Sequence, residues 1–205
     1  MDKFVYLGSE ITNNSSSSTN DVIRRLGMAG KAFKKLNKGL WSRKDIKRKT
    51  KLRIYNTLIV PVALYGAETW TLADDVKKKL DVFDGRCMRK ILGVRWPKVI
   101  SNEDMRIKTG QTELSRIAAS RMLRWAGHVW RMKQDRIAGR VEKWAPNKSK
   151  AKGRSIKKWK NMAIEEARSF GARGRYIEEI AQNRVAWRKI HQNLGRNAAN
   201  AVKAS

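Results

Sequence analysis

Residues 21–40 read DVIRRLGMAGKAFKKLNKGL and place Val22, Leu26, Ala29, Phe33, Leu36 and Leu40 at alternating steps of four and three. That spacing tracks the 3.6-residue period and draws one apolar stripe along a helix. Arg24, Arg25, Lys31, Lys34, Lys35 and Lys38 occupy much of the remaining surface. A segment built this way buries one face and turns cations outward. The same design recurs down the chain, so the expected fold is mainly α.

Upstream of this helix, Phe4-Val5-Tyr6-Leu7-Gly8 carries the β-branched and aromatic residues of a short strand, with Glu10-Ile11-Thr12 as a hairpin partner or continuation. Asn13 to Asn20, with four consecutive serines, reads as a loop. Downstream, Ser42 with Asp45 resembles a capping box that opens a second helix reaching about Tyr65, kinked or broken at Pro61. Asp74 or Thr71 caps a third, with the stripe Val76, Leu80, Phe83, Cys87 and Ile91 and a stop at Gly93. Ser101 and Asp104 open a short helix that Gly110 closes. Thr112 caps a longer one carrying Leu114, Ile117, Ala118, Met122, Trp125, Val129 and Met132. Residues 145–155 have no apolar period and read as a basic linker. Ile156, Trp159, Ala163 and Ala167 mark another helix ending before Gly171, and Tyr176, Ile180, Val185, Trp187, Ile190 and Leu194 mark a last one. The organisation expected is a strand and loop over 1–19, a helical domain over 20–145 and a basic helical region over 146–205.

Composition narrows the function. The 205 residues hold 47 Lys+Arg against 18 Asp+Glu, a net charge of +29. Residues 1–20 are net −1, whereas 21–70, 71–145 and 146–205 carry +10, +9 and +11. Positive charge spread through every helical segment suits a polyanion, and nucleic acid is the usual one. Eight tryptophans and 41% hydrophobic residues argue for a folded chain and against a disordered basic tail. A single cysteine, Cys87, excludes a disulfide framework and a zinc knuckle, and two histidines are too few for a metal site without cysteine. The longest apolar run, Leu58 to Tyr65, spans 8 residues and falls far short of the ~20 that a membrane helix needs. No cofactor, metal, membrane or small-molecule substrate is expected. The compartment expected is intracellular, with the nucleus compatible with a basic run.

Three constellations carry possible chemistry. Asp74-Asp75 follows Leu72-Ala73, and adjacent aspartates can hold the metal ions of phosphoryl transfer. Here they precede Val76-Lys77-Lys78-Lys79-Leu80, a helical pattern whose first turn favours acids, so a helix-start role is the better account. Arg124-Trp125-Ala126-Gly127-His128-Val129-Trp130-Arg131 interleaves aromatic rings with arginines, which suits base stacking beside phosphate contacts. Trp125 lies on the core stripe and Trp130 off it, which makes Trp130 the stacking candidate. Lys148 to Lys160 contains seven bases and no acid, ahead of a helix N-terminus that adds its own partial positive charge. Cys87 sits on an apolar stripe and reads as core, and no catalytic triad or Gly-rich phosphate loop is present.

Phe4-Val5-Tyr6-Leu7-Gly8-Ser9-Glu10-Ile11-Thr12, Trp41-Ser42-Arg43-Lys44-Asp45, Lys49-Thr50-Lys51-Leu52-Arg53-Ile54-Tyr55 and Leu64-Tyr65-Gly66-Ala67-Glu68-Thr69-Trp70-Thr71-Leu72 follow one another in that order. Arg89-Lys90-Ile91-Leu92-Gly93-Val94-Arg95-Trp96, Leu123-Arg124-Trp125-Ala126-Gly127-His128-Val129 and Ala181-Gln182-Asn183-Arg184-Val185-Ala186-Trp187-Arg188 complete the series. Together they resemble the C-terminal part of reverse transcriptases encoded by non-LTR retrotransposons. The resemblance implies that Tyr6, Leu7 and Gly8 are primer-grip-like and that the helices after them form a thumb-like bundle holding template–primer duplex. In that family the catalytic aspartate turn precedes the primer grip, so the resemblance implies no catalytic residue in this chain and no polymerase activity by the chain alone. The bases expected to contact RNA, DNA or hybrid duplex are Arg24, Arg25, Lys34, Lys35, Lys47, Arg48, Lys51, Arg124, Arg131, Lys152, Arg154, Lys157, Lys158 and Lys160, with Trp130 stacking. A basic helical scaffold for protein partners is the alternative.

Overall fold

The computed structural model describes residues 3–6, 9–12, 18–133, 135–143 and 158–193, and it is mainly helical. Two four-residue segments, β1 (Lys3–Tyr6) and β2 (Ser9–Thr12), pair antiparallel with Tyr6 opposite Ser9. Helix α1 (Thr19–Lys35) buries Val22 and Ala29 of its stripe, with Leu26, Phe33 and Leu36 packed at the margin. It then widens into a π turn, Asn37–Trp41, that buries Leu40 and Trp41. The Trp41 ring stacks on Phe33 at 4.5 Å, and its Nε1 donates to the Phe33 carbonyl at 2.7 Å. That bond satisfies one of the carbonyls a helix end leaves over.

The capping box expected at Ser42 and Asp45 does not form. Ser42 pairs with Asn37, and Asp45 is taken by Arg43 at 2.9 Å. The loop folds around Lys51 instead, whose buried ammonium donates to the carbonyls of Trp41 and Arg43. The next helix therefore starts later, at α2 (Arg48–Ile54). It runs on through a π turn, Tyr55–Ile59, into α3 (Val60–Ala63), where Pro61 stands in the first turn. Proline cannot donate and its ring crowds the preceding turn, so widening that turn lets the helical course continue without a break.

A left-handed Gly66 leads into a 3₁₀ turn, Ala67–Thr69, and then into α4 (Asp74–Ile91). Ala73, not Asp74 or Thr71, is the N-cap residue of α4. Thr71 ties this entry to α1 instead: its N–H donates to Ser18 Oγ at 2.8 Å, and the Ser18 N–H donates back to Thr71 Oγ1 at 3.3 Å. Helix α5 (Asn102–Thr109) matches its expected punctuation. Ser101 accepts from the Asp104 amide at 3.0 Å, and Gly110 closes the helix at φ 63. The entry to α6 (Leu114–Trp130) has Glu113, not Thr112, at the N-cap position, and a long-range acceptor, Asp81 of α4, takes the Ser115 amide at 3.0 Å.

Helix α6 is the central element. It packs against α4, α8 (Trp159–Ser169), α9 (Ile177–Gln182), α10 (Arg184–Gln192) and the Ala67–Thr69 turn, while α7 (Ile137–Lys143) follows it. One apolar core runs from Val22 in α1 through Leu80 and Met122 to Met162, Phe170 and Trp187. The last helical stretch is two helices, not one. Asn183 breaks it by accepting from the amides of Val185 and Ala186, at 3.0 and 3.1 Å, and so caps α10. Val185 consequently faces solvent although the sequence pattern puts it on the stripe. No helix among the described residues is long and apolar enough to cross a membrane.

Candidate nucleic-acid interface

Two concave surfaces among the described residues are rich in cations. The first lies between α2 and the C-terminal end of α5. It is a groove of about 780 Å³ lined by Arg48, Lys49, Leu52, Arg53, Asn56, Thr57 and the turn from Lys108 to Gln111. Every charged group on that lining is a cation, and Arg48, Lys49 and Arg53 are exposed. The walls are held in register from beneath by Asp84 of α4, which is 2% exposed. Asp84 accepts from the Tyr55 hydroxyl at 2.7 Å and forms an ion pair with Arg106 of α5. Burial pushes the Asp84 carboxyl above the usual range and Arg106 acts against that shift. Burial likewise pushes the Tyr55 phenol up, so it remains a hydrogen-bond donor at all ordinary pH.

The second surface is a cleft of about 650 Å³ along α6, lined by Glu68, Arg121, Arg124, Trp125, His128 and Arg131. The Trp125 and His128 rings lie 5.4 Å apart, tilted by 43°. Arg121 donates to the Leu64 carbonyl at 2.8 Å and Arg131 to the Ala181 carbonyl, which fixes both guanidinium groups as walls. Burial lowers the pKa of each; Arg124 adds repulsion at Arg121, as Arg184 does at Arg131. His191 of α10 is pushed below its ordinary value by burial and then by Arg124 and Arg188. The neighbourhood therefore carries an excess of positive charge.

Both tryptophans are partly buried, but their surroundings differ from those expected. Trp130 packs edge-on against the buried Trp187 at 5.5 Å and belongs to the core margin, whereas Trp125 lines the cleft. The physical reason is the α6–α10 contact, which turns the buried face of α6 toward Ala119, Leu123, Ala126 and Gly127. Trp159 is a packing residue as expected, with Nε1 donating to the Glu68 carbonyl at 3.0 Å.

Several expected phosphate contacts are engaged within the fold, Lys51 and Arg25 as buried groups and Arg24 and Lys160 as partly exposed ones. Lys51 is 6% exposed and holds two backbone carbonyls. Arg25 is 6% exposed, lies 4.1 Å over the Tyr65 ring and faces Asp21 at 3.9 Å. Arg24 sits 3.7 Å from the same carboxylate. Lys160 pairs with Glu178 at 3.1 Å. Lys34, Lys35, Lys47, Arg48, Arg124 and Lys158 are exposed. Tyr6 ends β1. Lys152, Arg154, Lys157, Leu7 and Gly8 lie outside the described residues.

Lys49, Arg53 and Lys108 complete the α2–α5 groove although they were not among the expected contacts. Lys49 and Arg53 stand four apart on one helix, a spacing that signals a shared face. The adjacent aspartates occupy the first turn of α4, where Asp75 accepts from Thr19 at 3.1 Å and from Lys79 at 3.3 Å. Burial acts upward on the Asp75 carboxyl, but those hydrogen bonds outweigh it and hold the pKa below the ordinary value. Cys87 is buried, and burial pushes its thiol up to about 12, so it is core. Among the described residues no three metal-ligating side chains converge.

The chain is similar to a transposon-derived protein of Caenorhabditis elegans, 25% identical over 209 residues that cover 98% of this chain and 73% of that protein. No protein-family profile matches the chain, and no solved structure matches it significantly.

Proposed function

We propose that this chain is the nucleic-acid-binding thumb and C-terminal portion of a retroelement RNA-directed DNA polymerase, and that it holds template–primer duplex by its backbone. One observation carries the reading: the α2–α5 groove presents Arg48, Lys49, Arg53 and Lys108 with no acid on its lining. A phosphate backbone seated there exchanges condensed counterions for these four cations, which favours binding irrespective of sequence. Asn56, Thr57 and Gln111 add neutral hydrogen-bonding groups on the same surface. The similarity to a transposon-derived protein and the mainly helical fold support a retroelement origin. The β1–β2 pair takes the primer-grip role in this reading, with Tyr6 at its turn.

The test is duplex-DNA affinity measured against salt. Each phosphate neutralised on B-DNA contributes ~0.9 to the slope of log affinity on log salt. Replacing Arg48, Lys49, Arg53 and Lys108 by Gln lowers that slope by about 3 to 4 if all four meet phosphates. An unchanged slope refutes the groove as the interface.

A second reading, a basic scaffold for protein partners, draws on one feature. Ile23, Leu26, Val82 and Phe83 form an apolar trough between α1 and α4, rimmed by Asp75, Lys78, Lys79 and Arg86. Absence of duplex and single-strand binding at low salt would favour that reading.

A further inference from the structure

We propose that the α6 cleft is a binding site for an unpaired nucleotide, with the Trp125 indole as the platform for its base and Arg124 as the group that holds its phosphate. This rests on the nucleic-acid-binding reading above and assigns it a second surface for a second form of substrate. The cleft, at about 650 Å³, has the scale of a small-ligand site. Its lining combines an aromatic platform with cations, the pairing that single-strand sites use. Trp125 is half-buried and lies apart from the core cluster that takes in Trp130, Trp159 and Trp187.

The polar groups sort by task. Arg121 and Arg131 spend donors on backbone carbonyls and so shape the walls while keeping their charge. Arg124 is exposed and makes no ion pair among the described residues, which leaves its planar fork available for a phosphate. Glu68 is the single acid on the lining, against three arginines. In a duplex each base is covered by its neighbours, so only an unpaired base offers a face to the Trp125 ring. The α2–α5 groove has the opposite character, cations without an aromatic ring. The two surfaces therefore divide the substrate between paired and unpaired strand.

The experiment compares a single-stranded oligonucleotide with a blunt duplex, on the full chain. Trp125→Ala is expected to weaken single-strand binding about 5- to 150-fold, the range implied by loss of one base–aromatic stack, and to leave duplex binding unchanged. Trp125→Phe keeps a ring and retains most of the affinity. Arg124→Gln lowers the single-strand salt slope by about 0.7. Equal loss on both substrates, or loss on neither, overturns the proposal while the duplex reading stands. A parent chain that binds neither form overturns both. Should Trp125→Ala fail to fold, photocrosslinking of a 5-bromouracil single strand to the unaltered chain decides. Crosslinks in tryptic peptide 125–131 support the site, and crosslinks confined elsewhere overturn it.

Discussion

Gly127 and Gly27 both lie within long helices, yet replacing each by Ala is expected to move stability in opposite directions. Gly27 of α1 is exposed, and a Cβ built there meets nothing within 4 Å. Alanine there removes the entropic cost of glycine, a gain of about 0.5–1 kcal/mol. Gly127 faces α10, and a Cβ there overlaps the five-membered ring of Trp187. That indole cannot swing aside cheaply, because it is 2% exposed and its Nε1 donates to the Leu123 carbonyl at 2.8 Å. Overpacking of this kind costs about 1–3 kcal/mol or more, which exceeds the same backbone gain. For a chain of this size about 2–4 °C of melting temperature corresponds to each kcal/mol. Gly27→Ala should therefore raise the midpoint by roughly 1–4 °C, while Gly127→Ala lowers it by several degrees. Paired thermal melts followed by circular dichroism check both. Trp187→Phe combined with Gly127→Ala should recover part of the loss, since the smaller ring leaves room for the methyl. If Gly127→Ala stabilises as Gly27→Ala does, α10 does not pack on α6 through this glycine, and the account of the turned α6 face falls with it.

Lys51→Met strips the buried Trp41 carbonyl and the partly buried Arg43 carbonyl of their donor and should cost about 1–3 kcal/mol in urea unfolding, with the duplex salt slope unchanged. A fall in slope without loss of stability would return Lys51 to the interface. Primer extension by this chain with magnesium or manganese should show no nucleotide incorporation, because Asp74 and Asp75 open α4 and Asp75 is held by Thr19 and Lys79. Robust extension abolished by Asp74→Ala would overturn that reading. Stability should also depend on pH through His191, whose pKa in the fold lies below 6.5 owing to burial and to Arg124 and Arg188. The unfolded state then binds the extra proton, so stability is full above 6.5 and declines as pH falls from there toward the lower folded-state value. His191→Gln should flatten this part of a urea-midpoint profile against pH, and an unchanged profile would show that another group is responsible.

Helical periodicity carried most of the fold. Val22 and Ala29 of α1, Val76, Leu80, Cys87 and Ile91 of α4, and Leu114, Ala118 and Met122 of α6 are buried as their spacing requires. Ser101 and Gly110 bound α5 because their signals are local: a hydroxyl near its own amides and a residue that adopts positive φ. Where a distant group meets a helix end, local signals fail. The Ser115 amide is taken by Asp81, and the loop before α2 is organised by the ammonium of Lys51, neither of which follows from neighbouring residues. The same limit explains the site. Counting cations cannot separate Arg48, which faces water, from Arg25, which lies over Tyr65 beside Asp21. In α6 the apolar stripe is nearly two-sided, so the choice between Trp125 and Trp130 depends on which small residues admit a partner. Gly127 lies at the edge of the buried arc of α6, and Trp187 packs against it there. Docking of α10 draws Trp130 into the core margin and leaves Trp125 in the cleft. Gly127 thus admits the Trp187 indole, and the edge-on packing of Trp130 on that indole follows from the same close approach of α10 to α6.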